Sequence, residues 1–216
     1  MPNTKLSSLP TIRRLPSYLL VVEAAANEGK EYISGTVIAE ELELEPIQVR
    51  KDLSLTGVIG KPRLGFPVQK LVEAINRFLD WHQSHRAVVV GAGNLGTALM
   101  GYPEFRRHGM NILAAFDTQH ERIGKEINGV PVFALDNLSE KVRELEVEMA
   151  LLTVPSTVAQ ETADQLIAAG VRAIWNFTNI KLKVPRDVLV QKEDLSSGYA
   201  MLSVKMARAK TVSRNR

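Results

Sequence analysis

Along the first 80 residues, apolar positions recur every three or four residues, broken by short polar or glycine-bearing stretches. Pro16 suits the first turn of a helix and Gly29 its end. Ser34 and Thr36 are candidate N-caps for a short helix that reaches Leu42. Glu45-Pro46 opens another helix over IQVRKDLSLT, which stops at Gly57. The next ten residues, GVIGKPRLGF, hold three glycines and a proline. Flanked by Val58, Ile59 and Phe66, they predict a tight β-hairpin. Pro67 then opens a strong helix, VQKLVEAINRFLDWHQ. Its apolar positions Val68, Leu71, Val72, Ile75, Phe78 and Leu79 follow the i, i+3, i+4, i+7 rule.

After Arg86 the period changes. AVVV, NILAAFD, MALLTV and RAIWNF read as short buried strands, and VPVF as a further candidate. LGTALMGY, LDNLSEKVREL and TVAQETADQLIAAG lie between them as helices. Short strands alternating with crossover helices predict an α/β fold with a doubly wound parallel sheet. The boundary between the two patterns falls near Ser84-His85. The expected division is residues 1–84, residues 85–195, and a helical run with a basic tail over 196–216.

Composition narrows the function classes. The 216 residues are 45% hydrophobic, ordinary for a globular protein. No run approaches the roughly 20 apolar residues of a membrane span. The N-terminal stretch MPNTKLSSLPTIRRLP has no apolar signal core, so a cytoplasmic protein is expected. With no cysteine, disulfides, thiolate zinc sites and cysteine nucleophiles are excluded. His82, His85, His108 and His120 show no metal-binding spacing. The net charge of +3 hides a polarity. Seven glutamates and one lysine fall within 23–45, five bases and one acid within 50–70, and five bases with no acid within 204–216. Such a polarised domain can present a basic face to phosphate.

The sharpest local motif is the loop Gly91, Ala92, Gly93, Asn94, Leu95, Gly96, directly after a strand and before a helix. Gly91 allows the tight turn, Gly93 lets a pyrophosphate approach the backbone, and Gly96 lets helix and strand pack closely. Amides at the helix start would face the phosphates. Asp117 ends the second strand 21 residues after Gly96, where a carboxylate would hold the adenosine ribose hydroxyls. It would also disfavour a 2′-phosphate, which selects NAD(H) over NADP(H). Thr153, Val154 and Pro155, and equally Asn176, Phe177 and Thr178, follow later strands and are candidates for the cofactor wall. Catalysis is not expected. No substrate domain remains, no His–Asp or Tyr–Lys pair stands out, and Tyr102 lacks a lysine four residues on.

Helix, turn, helix and hairpin is the layout of a winged helix-turn-helix, whose second helix enters the major groove of DNA. That helix carries Arg50 and Lys51, about 100° apart around its axis, so one can reach a base edge while the other meets phosphate. Gln48 and Ser54 have groups that read edges or bind phosphate. Lys61 and Arg63 sit at the hairpin tip, placed for the minor groove or backbone.

The string VRKDLS, the glycines before GF, VVVGAGNLG, GTALMGYPEF, AAFD, LLTVPS, AAGV, WNF and EDL, in this order, resembles the Rex family of redox-sensing repressors. The resemblance runs from RRLPSYL to about Leu202. It implies a homodimer that binds a palindromic operator in double-stranded DNA, free or with NAD+, and leaves it on binding NADH. It also implies that a C-terminal helix, about 196–210, is exchanged between subunits. By the same resemblance the Gly91–Gly96 loop binds pyrophosphate, Asp117 the ribose, and Tyr102 lies near the nicotinamide. Asp194 matches an acid that serves the switch in relatives, where it pairs with an arginine; this chain has Leu20 at that place, with Arg13 or Arg14 as possible substitutes. The wing also departs, with Pro62, Arg63 and Leu64 where relatives tend to carry arginine, glycine and valine. An NAD-dependent oxidoreductase and a CoA-binding Rossmann protein are the rival readings.

Overall fold

The computed structural model describes residues 9–214. Residues 1–8 and the last two of the basic tail, Asn215 and Arg216, lie outside the described residues, as do the side chains of Leu195 and of 208–214. The chain divides between Gln83 and Ser84 into two compact units.

The N-terminal unit contains helices α1 (Leu9–Asn27), α2 (Gly35–Glu41), α3 (Pro46–Ser54) and α4 (Val68–Phe78), with the two-residue strands β1 (Tyr32–Ile33) and β2 (Phe66–Pro67). Leu15, Tyr18, Leu19 and Val22 of α1 pack with Ile38, Val49, Leu53, Leu71 and Ile75 in one core. Ser34 caps α2 by accepting from the Val37 amide at 3.1 Å, and Gly29 ends the α1 turn at φ +74°.

Three sequence expectations are corrected here. Pro16 lies inside α1, not in its first turn; the turns before it are held by tertiary bonds described below. The hairpin is reduced to a single bridge, Lys61 to Gly65. Phe66 pairs with Ile33 of β1, so the wing strand joins the segment before α2 and not Val58–Ile59. The helix opened at Pro67 ends at Phe78, because Asp80 adopts a left-handed φ of +60°.

The C-terminal unit is a seven-stranded sheet in the order β5-β6-β4-β3-β7-β8-β9. Its strands are β3 (His85–Val90), β4 (Met110–Asp117), β5 (Glu126–Ile127), β6 (Val130–Ala134), β7 (Met149–Leu152), β8 (Ala173–Asn176) and β9 (Leu189–Lys192). All neighbours are parallel except β5 with β6. The helices are α5 (Asn94–Met100), α6 (Pro103–Arg107), α7 (Leu138–Glu144), α8 (Ala159–Ala169) and α9 (Leu195–Arg214), with a 3-10 turn at Leu135–Asn137. Side chains alternate along β3: Val88 and Val90 join the core with α7 and α8, whereas Ala87 and Val89 join a second core with α5. The second face leaves Met110, Ile112, Met149, Trp175 and Phe177 only partly buried. On α9, Tyr199, Met201, Leu202, Val204 and Met206 are all exposed. The strand order reverses at β3, and the crevice of such a sheet opens beyond the C-terminal ends of the strands on either side.

Candidate functional site

At the end of β3, Gly91 turns the chain at φ +98°, and a Cβ there would meet the Thr153 backbone at 2.9 Å. A Cβ on Gly96 would collide with the Gly91 carbonyl oxygen. Only Gly93 looks into open space, with the Arg122 guanidinium 3.8 Å from where its Cβ would be. The Thr153 hydroxyl lies within bonding distance of the carbonyls of Val90 (3.0 Å) and Gly91 (2.7 Å). It thereby ties the end of β7 to the loop.

The Asp117 carboxylate, 8% exposed, crosses from β4 to accept from the Ala92 amide at 2.7 Å. It also accepts from the Gln119 amide at 2.9 Å and from Arg122 at 3.1 Å. These groups border a cleft of about 530 Å³ lined by Gly91, Gly93, Asn94, Asp117, Thr153, Val154 and Pro155 among the expected residues. The volume lies within the ordinary range for a small-molecule site. Ala92 is buried beneath the loop, Gly96 is buried against the Gly91 carbonyl, and Leu95 is 36% exposed.

The other expected cofactor residues are not brought to this cleft. Thr178 donates its amide and its hydroxyl to Asn176 Oδ1, at 2.9 and 2.7 Å, and Asn176 Nδ2 donates to the Ile180 carbonyl at 3.0 Å. Both side chains are buried and shape the turn after β8. Phe177 packs against Trp175 with the ring planes tilted by 39°, and Tyr102 meets Phe105 edge-on at 4.9 Å. Tyr102 lines a separate recess of about 360 Å³ with Phe105 and Asn128. Asp194 accepts from the Ser196 amide at 2.9 Å and so caps α9.

Arg122, Gln119 and Thr118 line the cleft without having been anticipated. The available signal was a base five residues after the strand-ending acid. Leu135, Val158 and Thr162 complete the wall, but nothing in their types distinguishes them from core.

In the N-terminal unit, α3 is anchored through Asp52, 1% exposed. Its carboxylate accepts from Thr11 (2.8 Å), Arg14 (2.7 and 3.0 Å), Tyr18 (2.7 Å) and Gln48 (2.9 Å). Burial pushes the Asp52 carboxyl up, but the bonds from Arg14, Tyr18, Thr11 and Gln48 outweigh it and bring it down to about 2. Burial and the neighbouring carboxylate raise the Tyr18 hydroxyl to about 12. Two residues named from the sequence meet this carboxylate. The Gln48 side chain is half-buried and donates from Nε2 to Asp52, and the exposed face of α3 consists of Ile47, Arg50, Lys51 and Ser54. Arg14, named with Arg13 as a substitute for an arginine at Leu20, bonds the same carboxylate.

Arg50, Lys61 and Arg63 border one groove of about 490 Å³ together with Ser34 and Thr36. The stem of Arg50 crosses Gly35, where a Cβ would lie 3.1 Å from its Cγ. Lys61 bonds the Tyr32 hydroxyl at 2.5 Å and lies 4.9 Å from the ring centroid. Arg63 is exposed in a left-handed conformation, φ +63°. That conformation costs a non-glycine residue about 1–2 kcal/mol. Lys51 is exposed outside this groove, and the Ser54 hydroxyl donates back to the Lys51 carbonyl at 2.7 Å. Among the described residues no helix is long and apolar enough to cross a membrane.

Comparison with known proteins follows the same division. Residues 8–54 match the family described as "Putative DNA-binding protein N-terminus", and residues 82–180 match "CoA binding domain". The chain is 59% identical to the redox-sensing transcriptional repressor Rex of Treponema denticola, over 95% of this chain and 98% of that protein. It is 37% identical to the Rex repressor of Bacteroides thetaiotaomicron, over 92% and 89% respectively. Among solved structures, RSP, a Rex-family repressor, superposes in complex with β-NADH at a TM-score of 0.86, with 29% identity over 99% of this chain and 100% of that one. In complex with β-NAD+ and operator DNA it gives the same score, at 30% identity over 98% and 97%.

Proposed function

Because the chain belongs to the Rex family of redox-sensing transcriptional repressors, we propose that it binds operator DNA as a homodimer and releases it when NADH occupies the cleft beside Asp117. The observation that carries this reading is the pairing of two sites on one chain. One is a glycine loop whose amide bonds a strand-end carboxylate, and the other is a winged helix with three bases along one groove. NADH and NAD+ are the ligands of the first, and the DNA backbone and bases those of the second. A regulator needs no catalytic group, and none is assigned. The exposed apolar stripe of α9 and the partly covered sheet face supply the surface that dimerisation would bury.

In the cofactor site, Gly91 and Gly96 hold the loop in place and Gly93 leaves room for the pyrophosphate. The Asp117 carboxylate accepts from the ribose hydroxyls, and Thr153, Val154 and Pro155 form the wall towards the nicotinamide. A hydrogen bond to a charged group contributes about 1.5–3 kcal/mol. Asp117→Ala is therefore expected to weaken NADH binding about ten- to hundredfold and to narrow the gap to NADPH. Calorimetry with both cofactors checks this, and equal affinity of the unaltered chain for NADH and NADPH would remove the role. The sheet also matches a CoA-binding family, so CoA at the same concentration is the control; it is expected to give no heat and no thermal shift.

In the DNA site, Arg50 and Lys51 supply affinity. Substituting a residue that contacts phosphate should weaken binding to all sequences alike and flatten the salt dependence by about one in the log–log slope. Loss of a bidentate base contact should instead cost about 1–3 kcal/mol at one base position. Fluorescence anisotropy of Arg50→Ala and Lys51→Ala across salt concentrations separates the two. Unchanged affinity for both variants would move the DNA site elsewhere.

A further inference from the structure

The outer face of α3 carries one side chain of a different chemistry from the rest. Ile47, at the second helical position, is 73% exposed, beside Arg50, Lys51 and Ser54 on the same face. A single exposed aliphatic residue is ordinary on a protein surface. Here the first helical turn makes it informative. Recognition helices meet base edges with their N-terminal residues, and the polar group available in that turn, Gln48, donates to the buried Asp52 carboxylate at 2.9 Å. That carboxylate is in turn held by Thr11, Arg14 and Tyr18, so releasing Gln48 would disturb a buried network. Val49 is fully buried, and Pro46 fills the first helical position. The side chain that the turn exposes most fully to a base pair is therefore aliphatic.

In the major groove, the apolar feature that a base pair presents is the thymine C5-methyl group. We infer that Ile47 is a sequence-reading residue that packs on a thymine methyl in each half-site. Arg50 and Lys51, one turn further along, hold the helix to the phosphates and to a neighbouring base. Thymine at one fixed position per half-site would then be selected by contact with the methyl group and not by hydrogen bonding. This rests on the reading of α3 as the DNA-reading helix.

The test uses the full chain and the duplex it selects from a random-sequence pool, with each thymine replaced in turn by deoxyuridine. That replacement removes one methyl and leaves every hydrogen bond in place. Burial of one such group supports about a fourfold loss per half-site. One symmetric pair of replacements, one in each half-site, should weaken the unaltered chain by that factor twice over, about 16-fold. Ile47→Ala should bind the methylated duplex about as weakly, and should be indifferent to the same replacement. Ile47→Val should keep most of the sensitivity. The inference fails if no replacement weakens binding more than twofold, or if the sensitive position weakens Ile47→Ala by the same factor. In either case loss of binding in Arg50→Ala would leave the DNA reading of α3 standing. A pool that yields no selected duplex would overturn both.

Discussion

Asp52→Ala is expected to destabilise the N-terminal unit by about 3 kcal/mol, since removing one partner of a buried ionic cluster strands the others. Thr11, Tyr18 and Gln48 would lose their acceptor, and Arg14 would keep its charge with no counter-ion. Arg14 is 30% exposed on its side chain and can regain water, which places the effect at the lower end of that range. Small domains hold about 5–15 kcal/mol in all, so this loss should appear in urea unfolding of the full chain as a clear shift of one transition. DNA affinity should fall with it, because Asp52 is the link between α3 and α1. Asp52→Asn, which keeps the shape without the charge, should fall between. An unchanged midpoint in both variants would contradict the anchoring role.

The same cluster fixes a pH dependence of known sign. The Asp52 carboxyl sits near 2 in the folded chain against an ordinary 3.8. Its contribution, about 2 kcal/mol, is present above pH 4 and is lost as the pH falls from about 4 to 2. Tyr18 moves the other way, from 10 to about 12. Its contribution is present below pH 10 and disappears as the pH rises towards 12. Asp52→Asn should therefore flatten the acid limb of the stability curve.

Elements with a long apolar period were legible in the sequence, and those built by tertiary contact were not. β3, β4, β7, β8, α8 and the start of α4 followed from spacing, and β6 was a candidate on the same ground. β9 did not, because all four of its residues are exposed at the sheet edge and show no alternation. β1 and β5 are two residues long, too short for any period. Pro16 misled because proline inside a helix removes one bond and costs about 3 kcal/mol. Here Thr11 and Arg14, five and two residues earlier, are tied to Asp52 and hold that part of α1 in place.

The candidate site divides in the same way. The glycine loop and Asp117 were readable because their spacing is dictated by the cofactor. Arg122 was not, because its guanidinium reaches Asp117 through a turn whose path the sequence does not give. Gln48 was expected to face DNA and turns inward, since an acid one helical turn on is buried. An acid on an otherwise apolar helix face, between Val49 and Leu53, was the sign of that network. Tyr102 and Asp194 came from resemblance. In the single chain they occupy a separate recess and a helix cap, away from the groups that border the Asp117 cleft.

NADH and NAD+ are expected to act oppositely on DNA affinity, and this is the larger functional effect. The two share every phosphate and ribose contact and differ in charge and planarity at the nicotinamide. Any difference in their action must arise at the nicotinamide end of the cofactor. A ligand shifts an equilibrium only by its differential affinity for the two states, and the coupling is reciprocal: operator must weaken NADH binding by the factor by which NADH weakens operator binding. A coupling of about 1–3 kcal/mol gives roughly 5- to 150-fold. A coupling in the lower part of that range is enough to register in the test below. The most direct test titrates operator duplex with the protein at fixed salt, without ligand, with NAD+ and with NADH. The predicted result is tight binding in the first two and an affinity at least fivefold weaker with NADH. Unchanged DNA affinity at saturating NADH, with the cofactor bound, would contradict it.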